Sequence, residues 1–219
     1  MDDAVGRHAV LTGAKIGVLV EHKFIPEEIS AYQTGFAILG YEVEFLSRIW
    51  YGDYKPASAT FYSDVDPLDS QPWESPQSIK VSRDISTVRP EDYAAVIMSA
   101  NYTSVRLRYS DQAVTTDLRG FVQSAPAVAW YAEAMKNRRV IKGALCHGLW
   151  ILTPNPGLLK GRKVVCNPVV LADILNCGAE VTLSDKVVVD GDLVTGYSKH
   201  EVIPFMRAIA GQIAALPPV

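Results

Sequence analysis

Three consecutive residues in the stretch "IKGALCHGLWIL" (141–152) have types and an order that can do chemistry: Cys146, His147 and Gly148. A thiolate is a nucleophile, an imidazole beside it can carry the proton, and glycine lets backbone crowd a tight turn. If "VIKGAL" (140–145) is a strand and "HGLWIL" begins a helix, Cys146 stands at the carboxyl end of that strand. Gly143 and Gly148 then ease the turn, in the manner of a nucleophile elbow. A helix N-terminus behind the sulfur would depress the thiol pKa into the range of about 3.5–7.5 found for activated cysteines. The N–H of His147 would point where an oxyanion forms. The competing reading is a core thiol beside an incidental histidine, because free cysteine is among the most buried residue types. Cys166 and Cys177 are expected to be cysteines of that second kind.

A second group of candidates follows "KIGVLV" (15–20) in the stretch "EHKFIPEEIS". Glu27 and Glu28 fall in the first turn of a predicted helix, where the dipole favours acids. Helix-end electrostatics accounts for Glu27. Glu28 opens its helix at the same end of the sheet as Cys146 and can reach toward the thiol. His22, just after the strand, either lines the pocket or belongs to a surface loop. His200 neighbours Glu201 in a helical first turn, where capping explains the pair.

These residues need a frame to position them, and the sequence supplies an alternating one. "KIGVLV" is a short β-branched run suited to a buried parallel strand. "PEEISAYQTGFAILG" is a helix with Pro26 in its first turn, an apolar stripe of Ile29, Tyr32, Phe36 and Leu39, and Gly40 as its stop. "YEVEFLS" (41–47) alternates as a second strand. Residues 48–78, rich in Pro, Ser, Asp and aromatics, break the rhythm and are read as an ordered insertion, with room for a hairpin, covering one edge. "YAAVIMSA" (93–100) is a strand, and "SAPAVAWYAEAMKNRR" (124–139) is a helix with Ser124 as its N-cap. "NPVVLADILNCG" (167–178) is a helix capped by Asn167, and "KVVVDGDLVT" (186–195) is a hairpin turning at Asp190-Gly191. A closing helix starts with the capping box Ser198 to Glu201. Alternating strands and helices predict an α/β layered fold, with a mainly parallel sheet between helices. One domain over 1–219 is expected, with the insertion at about 48–78.

Composition narrows the function. Of 219 residues, 48% are hydrophobic and 21% charged, with a net charge of −3. That balance gives no electrostatic reason to expect nucleic acid or an anionic membrane as partner. No apolar run approaches the roughly 18–20 residues that span a bilayer. The acidic start lacks the order of a signal peptide. Three widely spaced cysteines make no disulfide framework, and no His/Cys cluster has zinc spacing. The expectation is a reduced cytoplasmic protein without a metal or other cofactor.

The pieces "KIGVLV…EE…LGYEVEFLS", "DYAAVIM", "ALCHGLWIL", "GLLKGRKVV", "ILNCGAEV" and "VVVDGDLVTG" resemble the DJ-1/PfpI superfamily, also called ThiJ/PfpI, in family order over residues 15–196. The resemblance implies a three-layer sandwich of the class I glutamine-amidotransferase-like (flavodoxin-like) type. It implies that Cys146 is the nucleophile, that Glu28 supports it in protonated form, and that His147 serves as acid and base, as in members of the PfpI type. An ionised carboxylate beside a thiolate is repulsive, so one of the pair must hold a proton. The sequence departs from the family where a "PGG" strand end contributes to the oxyanion hole. Here the stretch is "MSAN", which makes Ala100 and Asn101 substrate-binding candidates along with Gly148 and His22. The Asn101 amide either replaces a lost backbone donor or turns the chain. Thr103 and Ser104 occupy the place where protease-like members carry an acid, so the Cys-His-acid triad is incomplete.

The resemblance implies a cofactor-independent, cysteine-dependent hydratase, lyase or hydrolase acting on a small electrophilic substrate, of the glyoxalase III or deglycase kind or a specialised relative. The alternatives are an intracellular cysteine protease or amidase, and a non-enzymatic redox-sensing or chaperone protein. A homodimer or higher homo-oligomer is expected, from the aromatic insertion and the family habit of building sites near subunit contacts.

Overall fold

A computed structural model describes residues 13–65, 75–110 and 116–217. The first half of the chain runs β1 (Lys15–Leu19), α1 (Pro26–Ile38), β2 (Glu42–Ser47), β3 (Ala59–Tyr62), β4 (Ser78–Val81), β5 (Arg83–Asp84), β6 (Ala95–Met98), α2 (Thr103–Leu107), α3 (Leu118–Gln123) and α4 (Pro126–Lys136). It continues through β7 (Ile141–Leu145), β8 (Lys163–Val164), α5 (Leu171–Asn176), β9 (Glu180–Val181), β10 (Val187–Asp190), β11 (Leu193–Gly196) and α6 (Val202–Ala215). Seven strands form one sheet in the order β10-β11-β7-β6-β1-β2-β5, parallel throughout except for the β10–β11 pair.

The near-continuous apolar strands are explained by cover on both faces. In β6, Ala95 and Ile97 join a cluster with Tyr32 and Phe36 of α1 and Phe205, Ile209 and Ile213 of α6. Val96 and Met98 face the other way, toward Val128 and Tyr131 of α4 and Ile174 of α5. Gly143 belongs to this packing rather than to the turn after β7. A Cβ there would meet Ile209 Cδ1 at 2.8 Å and Phe205 Cζ at 2.9 Å, so the missing side chain lets α6 lie close on the sheet.

Several local expectations need correction. Leu39 is 37% exposed and lies past the end of α1, so the buried stripe stops at Phe36. Ser124 does not cap α4, because its hydroxyl donates back to Phe121 O at 2.8 Å and closes α3, a helix the sequence did not announce. The β10–β11 turn is centred one residue later than read, since Asp190 pairs with Leu193 across Gly191 and Asp192. The insertion contains a hairpin, β3 against β4, but it runs on to Val81, and β5 then adds to the sheet edge beside β2. Residues 66–74 of the insertion lie outside the described residues. Just past the ends of β2 and β5, the Asp84 carboxylate takes over from the backbone. It accepts from the N–H groups of Ile49 (2.6 Å), Trp50 (2.8 Å) and Ser86 (2.8 Å).

Candidate active site

The sheet order reverses between β1 and β6, the kind of switch point where open α/β sheets gather functional groups beyond the strand carboxyl ends. Three neighbouring strands deliver the candidates there: β1 leads to Glu28, β6 to Ala100 and Asn101, and β7 to Cys146. Cys146 follows β7 directly and adopts a left-handed backbone, φ +60°. Its N–H donates to Gly196 O at 2.8 Å, and its carbonyl accepts from Asn167 N at 3.1 Å. Gly148 is required by a close approach, since a Cβ there would lie 2.8 Å from Met98 O. The helix expected behind the sulfur is a five-residue 3-10 turn, Gly148–Leu152, too short to bring a strong dipole to bear.

The Cys146 sulfur lies 2.9 Å from His147 Nδ1. Cys146 is only 6% exposed, and that burial pushes the thiol pKa up to about 12. The backbone N–H of Asn101 opposes the shift, the Glu28 charge adds to it, and the His147 N–H and the Asn167 side chain oppose it again. This reverses the expected depressed pKa: the resting group is a thiol. Cys166 and Cys177 are buried as expected, and burial raises their pKa values too, Cys166 to about 11.

His147 is buried at 8% exposure, which lowers its pKa and leaves the imidazole neutral at pH 7, free to accept the thiol proton. Its ring packs against Tyr102 and Trp150, each centroid 5.4 Å away. Ser104 donates to His147 O at 3.1 Å, and Thr103 is occupied by the carbonyls of Ser99 and Ala100. Among the described residues no carboxylate pairs with His147.

Glu28 is fully buried, and burial pushes its carboxyl up to about 8, so it holds a proton at neutral pH. Both of its oxygens are 3.0 Å from Ala100 N, and Tyr32 and that N–H favour its charged form without overcoming the burial. The Tyr32 hydroxyl is itself buried without a partner at full hydrogen-bond geometry. Asn101 answers the open question about its role in two parts. It turns the chain, at φ +64°, and its backbone rather than its amide faces the sulfur. Its amide donates to Asp64 Oδ2 at 3.1 Å.

His22 serves the insertion. Its Nδ1 accepts from Tyr62 N at 3.0 Å, and its ring stacks on Tyr62 and meets Phe61 edge-on. Asn167, read from sequence only as a helix cap, does cap Val169 N (3.0 Å) and also turns its side chain to the sulfur. Asp64 had no sequence signal at all, lying inside an insertion without periodicity. Among the described residues no group of three or more His, Cys, Asp or Glu is placed to hold a metal ion, and no helix is long and apolar enough to cross a membrane.

Comparison with known proteins bears on the family and the fold. Over 130 residues the chain is 28% identical to Deglycase PH1704 of Pyrococcus horikoshii, covering 59% of this chain and 68% of that protein. Over 194 residues it is 26% identical to Protein/nucleic acid deglycase 2 of Escherichia coli, covering 88% of this chain and 94% of that one. Among solved structures, a two-domain protein from Anabaena variabilis with DJ-1/ThiJ/PfpI-like and ferritin-like domains superposes with a TM-score of 0.71 at 20% identity. The match covers 94% of this chain and half of that longer one. The DJ-1/PfpI family matches residues 70–212, the stretch that carries β6, the turn at Cys146 and everything through most of α6, and the chain belongs to that family.

Proposed function

We propose that the protein is a cofactor-independent enzyme that uses Cys146 to add to small carbonyl electrophiles, 2-oxoaldehydes and their early adducts, in the manner of a glyoxalase III or deglycase. The observation that carries this reading is the 2.9 Å approach of His147 Nδ1 to the sulfur of a left-handed residue at a strand's carboxyl end. The deglycase names of the relatives at 26–28% identity support the substrate class.

The protonation states set the order of events. The resting site is neutral: thiol, imidazole and carboxylic acid. As the Cys146 sulfur bonds to the aldehyde carbon of methylglyoxal, its proton passes to His147 Nδ1, and the carbonyl oxygen takes the negative charge. The N–H groups of Asn101 and His147 face the sulfur, beside the place where that charge develops. The imidazolium returns its proton to the oxygen, giving a hemithioacetal. Moving the aldehyde hydrogen to the neighbouring carbon as a proton, through an enediol, yields a thioester. Water cleaves the thioester to lactate and restores the thiol, so the net change is addition of one water. Glu28, a buried acid whose pKa of about 8 lies near neutrality, suits the proton transfers. A redox-sensing role fits less well, because sensor cysteines are low-pKa and accessible. Proteolysis fits less well, because among the described residues no carboxylate pairs with His147.

Steady consumption of methylglyoxal with lactate formation, abolished by Cys146→Ser, is the expected result. A panel including isonitriles, amides and peptides tests the alternatives. Turnover of a peptide but not of any 2-oxoaldehyde sinks the proposal.

A further inference from the structure

Among the described residues, three non-glycine positions hold a left-handed backbone: Lys23 at φ +71°, Asn101 at +64° and Cys146 at +60°. Such a conformation costs most L-residues about 1–2 kcal/mol, and asparagine less, and it persists where surrounding contacts hold it. Cys146 is fixed by backbone bonds to Gly196 and Asn167. The other two share one partner, the Asp64 carboxylate at the end of β3 in the insertion. Asp64 Oδ1 accepts from Lys23 Nζ at 2.8 Å, and Oδ2 accepts from Asn101 Nδ2 at 3.1 Å.

Asp64 is itself held in place. Its N–H donates to Phe24 O at 3.1 Å, and Ser63 bridges Phe24 beside it. Lys23 N donates to Tyr62 O at 2.8 Å, and Tyr62 N donates to His22. Half-burial raises the Asp64 pKa, but the bonds from Lys23 and Asn101 outweigh it and hold the carboxyl below its usual range. It is therefore ionised at neutral pH, as a clamp for a cation and an amide requires.

We propose that Asp64 is a positioning residue: the inserted hairpin clamps Asn101 in its left-handed conformation and so aims the Asn101 N–H at the Cys146 sulfur. Glycine adopts such a conformation freely; asparagine tolerates it better than most residues but also leaves it readily, so a fixed partner for its amide narrows it to one orientation. The insertion is thus tied to the chemistry through one carboxylate that never touches the reacting atoms. This inference rests on the reading of Cys146 as nucleophile.

The test compares Asp64→Ala in the wild type and in an Asn101→Gly background, using the full chain. Two readouts are followed: the rate of Cys146 alkylation by iodoacetamide across pH, read by peptide mass spectrometry, and methylglyoxal turnover. In the wild-type background, Asp64→Ala should slow Cys146 alkylation at pH 7 by about fivefold, the scale of one lost hydrogen bond. Its pH midpoint should rise, because the thiolate loses a donor, and kcat should fall with KM little changed. With glycine at 101 the same substitution should change alkylation by less than about twofold, since glycine needs no clamp. Asp64→Asn, which keeps one acceptor oxygen and the side-chain shape, should be intermediate and serves if the alanine variant does not fold. An equal loss in both backgrounds, or no loss in the wild type, overturns the clamp. If the background-dependent alkylation holds while methylglyoxal is not consumed, the clamp stands and the proposed activity falls.

Discussion

The two ends of β7 bury ionisable groups in opposite ways. At the amino end, Lys142 has no exposed surface and donates to Asp192 and to Asn137 O (2.9 Å). Arg162 donates to Asp190 Oδ2 at 2.6 Å and Asp192 Oδ1 at 2.9 Å, completing a paired network that holds the β10–β11 turn. At the carboxyl end, Cys146, His147 and Glu28 are buried without opposite charges, and burial favours the neutral form of each. A cavity of about 660 Å³ opens at the amino end, lined by Ile141, Arg162, Asp190 and Asp192 among others, and it includes none of those three residues. Concavity marks space. Groups holding displaceable protons mark chemistry. Paired buried charges fix a turn, and unpaired neutral ones are ready to exchange a proton.

The sharpest way to probe this contrast is Glu28→Gln. The folded pKa of about 8 lies above the unfolded value of 4.5, so the stability Glu28 contributes is complete below pH 4.5. It is lost progressively as pH rises toward 8. The glutamine does not titrate. Relative to wild type, the variant should gain stability across that window by up to about 5 kcal/mol, then level off. Methylglyoxal turnover should fall at least about tenfold, because the amide cannot exchange the proton. Urea titrations at pH 4.5, 6 and 8 read the first effect, and a flat difference between the two proteins contradicts the raised pKa.

Lys142→Met tests the other end. Removing one partner of a buried pair should cost about 3 kcal/mol by chemical denaturation. Cys146 alkylation in the folded protein should be unchanged, and a change of more than a few-fold would join the two ends and erase the distinction. The smallest effect is expected for Gly148→Ala, which drives a methyl group into Met98 O. A stability loss of about 2 kcal/mol, typical of forced overpacking, should accompany slower Cys146 alkylation. Unaltered labelling there would mean that the turn does not aim the sulfur.

Much of this frame is legible in the sequence because it is local. The β1–α1–β2 unit, the arrival of β7 at Cys146, the Gly40 and Gly178 stops and the Ser198 capping box all follow from periodicity and short-range turn chemistry. The candidates Cys146 and His147 lie in contact, and Glu28 is close enough to act on the thiol electrostatically. What escapes is what depends on distant packing. The thiol pKa moves opposite to expectation because the short 3-10 turn offers little dipole while other elements enclose the sulfur. Asn101 reads ambiguously because its amide meets a carboxylate 37 positions away in sequence. Ser124 looks like a cap for α4 because α3, with no buried residue of its own, leaves no apolar stripe to announce it.

Asp84 carries a consequence for how copies of this chain behave in a crowd. A sheet margin with free backbone donors is a template onto which another chain can add a strand. Just past β2 and β5, the donors of Ile49 and Trp50 are both consumed by one oxygen of the Asp84 side chain. A carboxylate in that role satisfies the backbone without presenting further backbone to pair with. Those two donors are thereby withheld from edge-to-edge pairing with another chain.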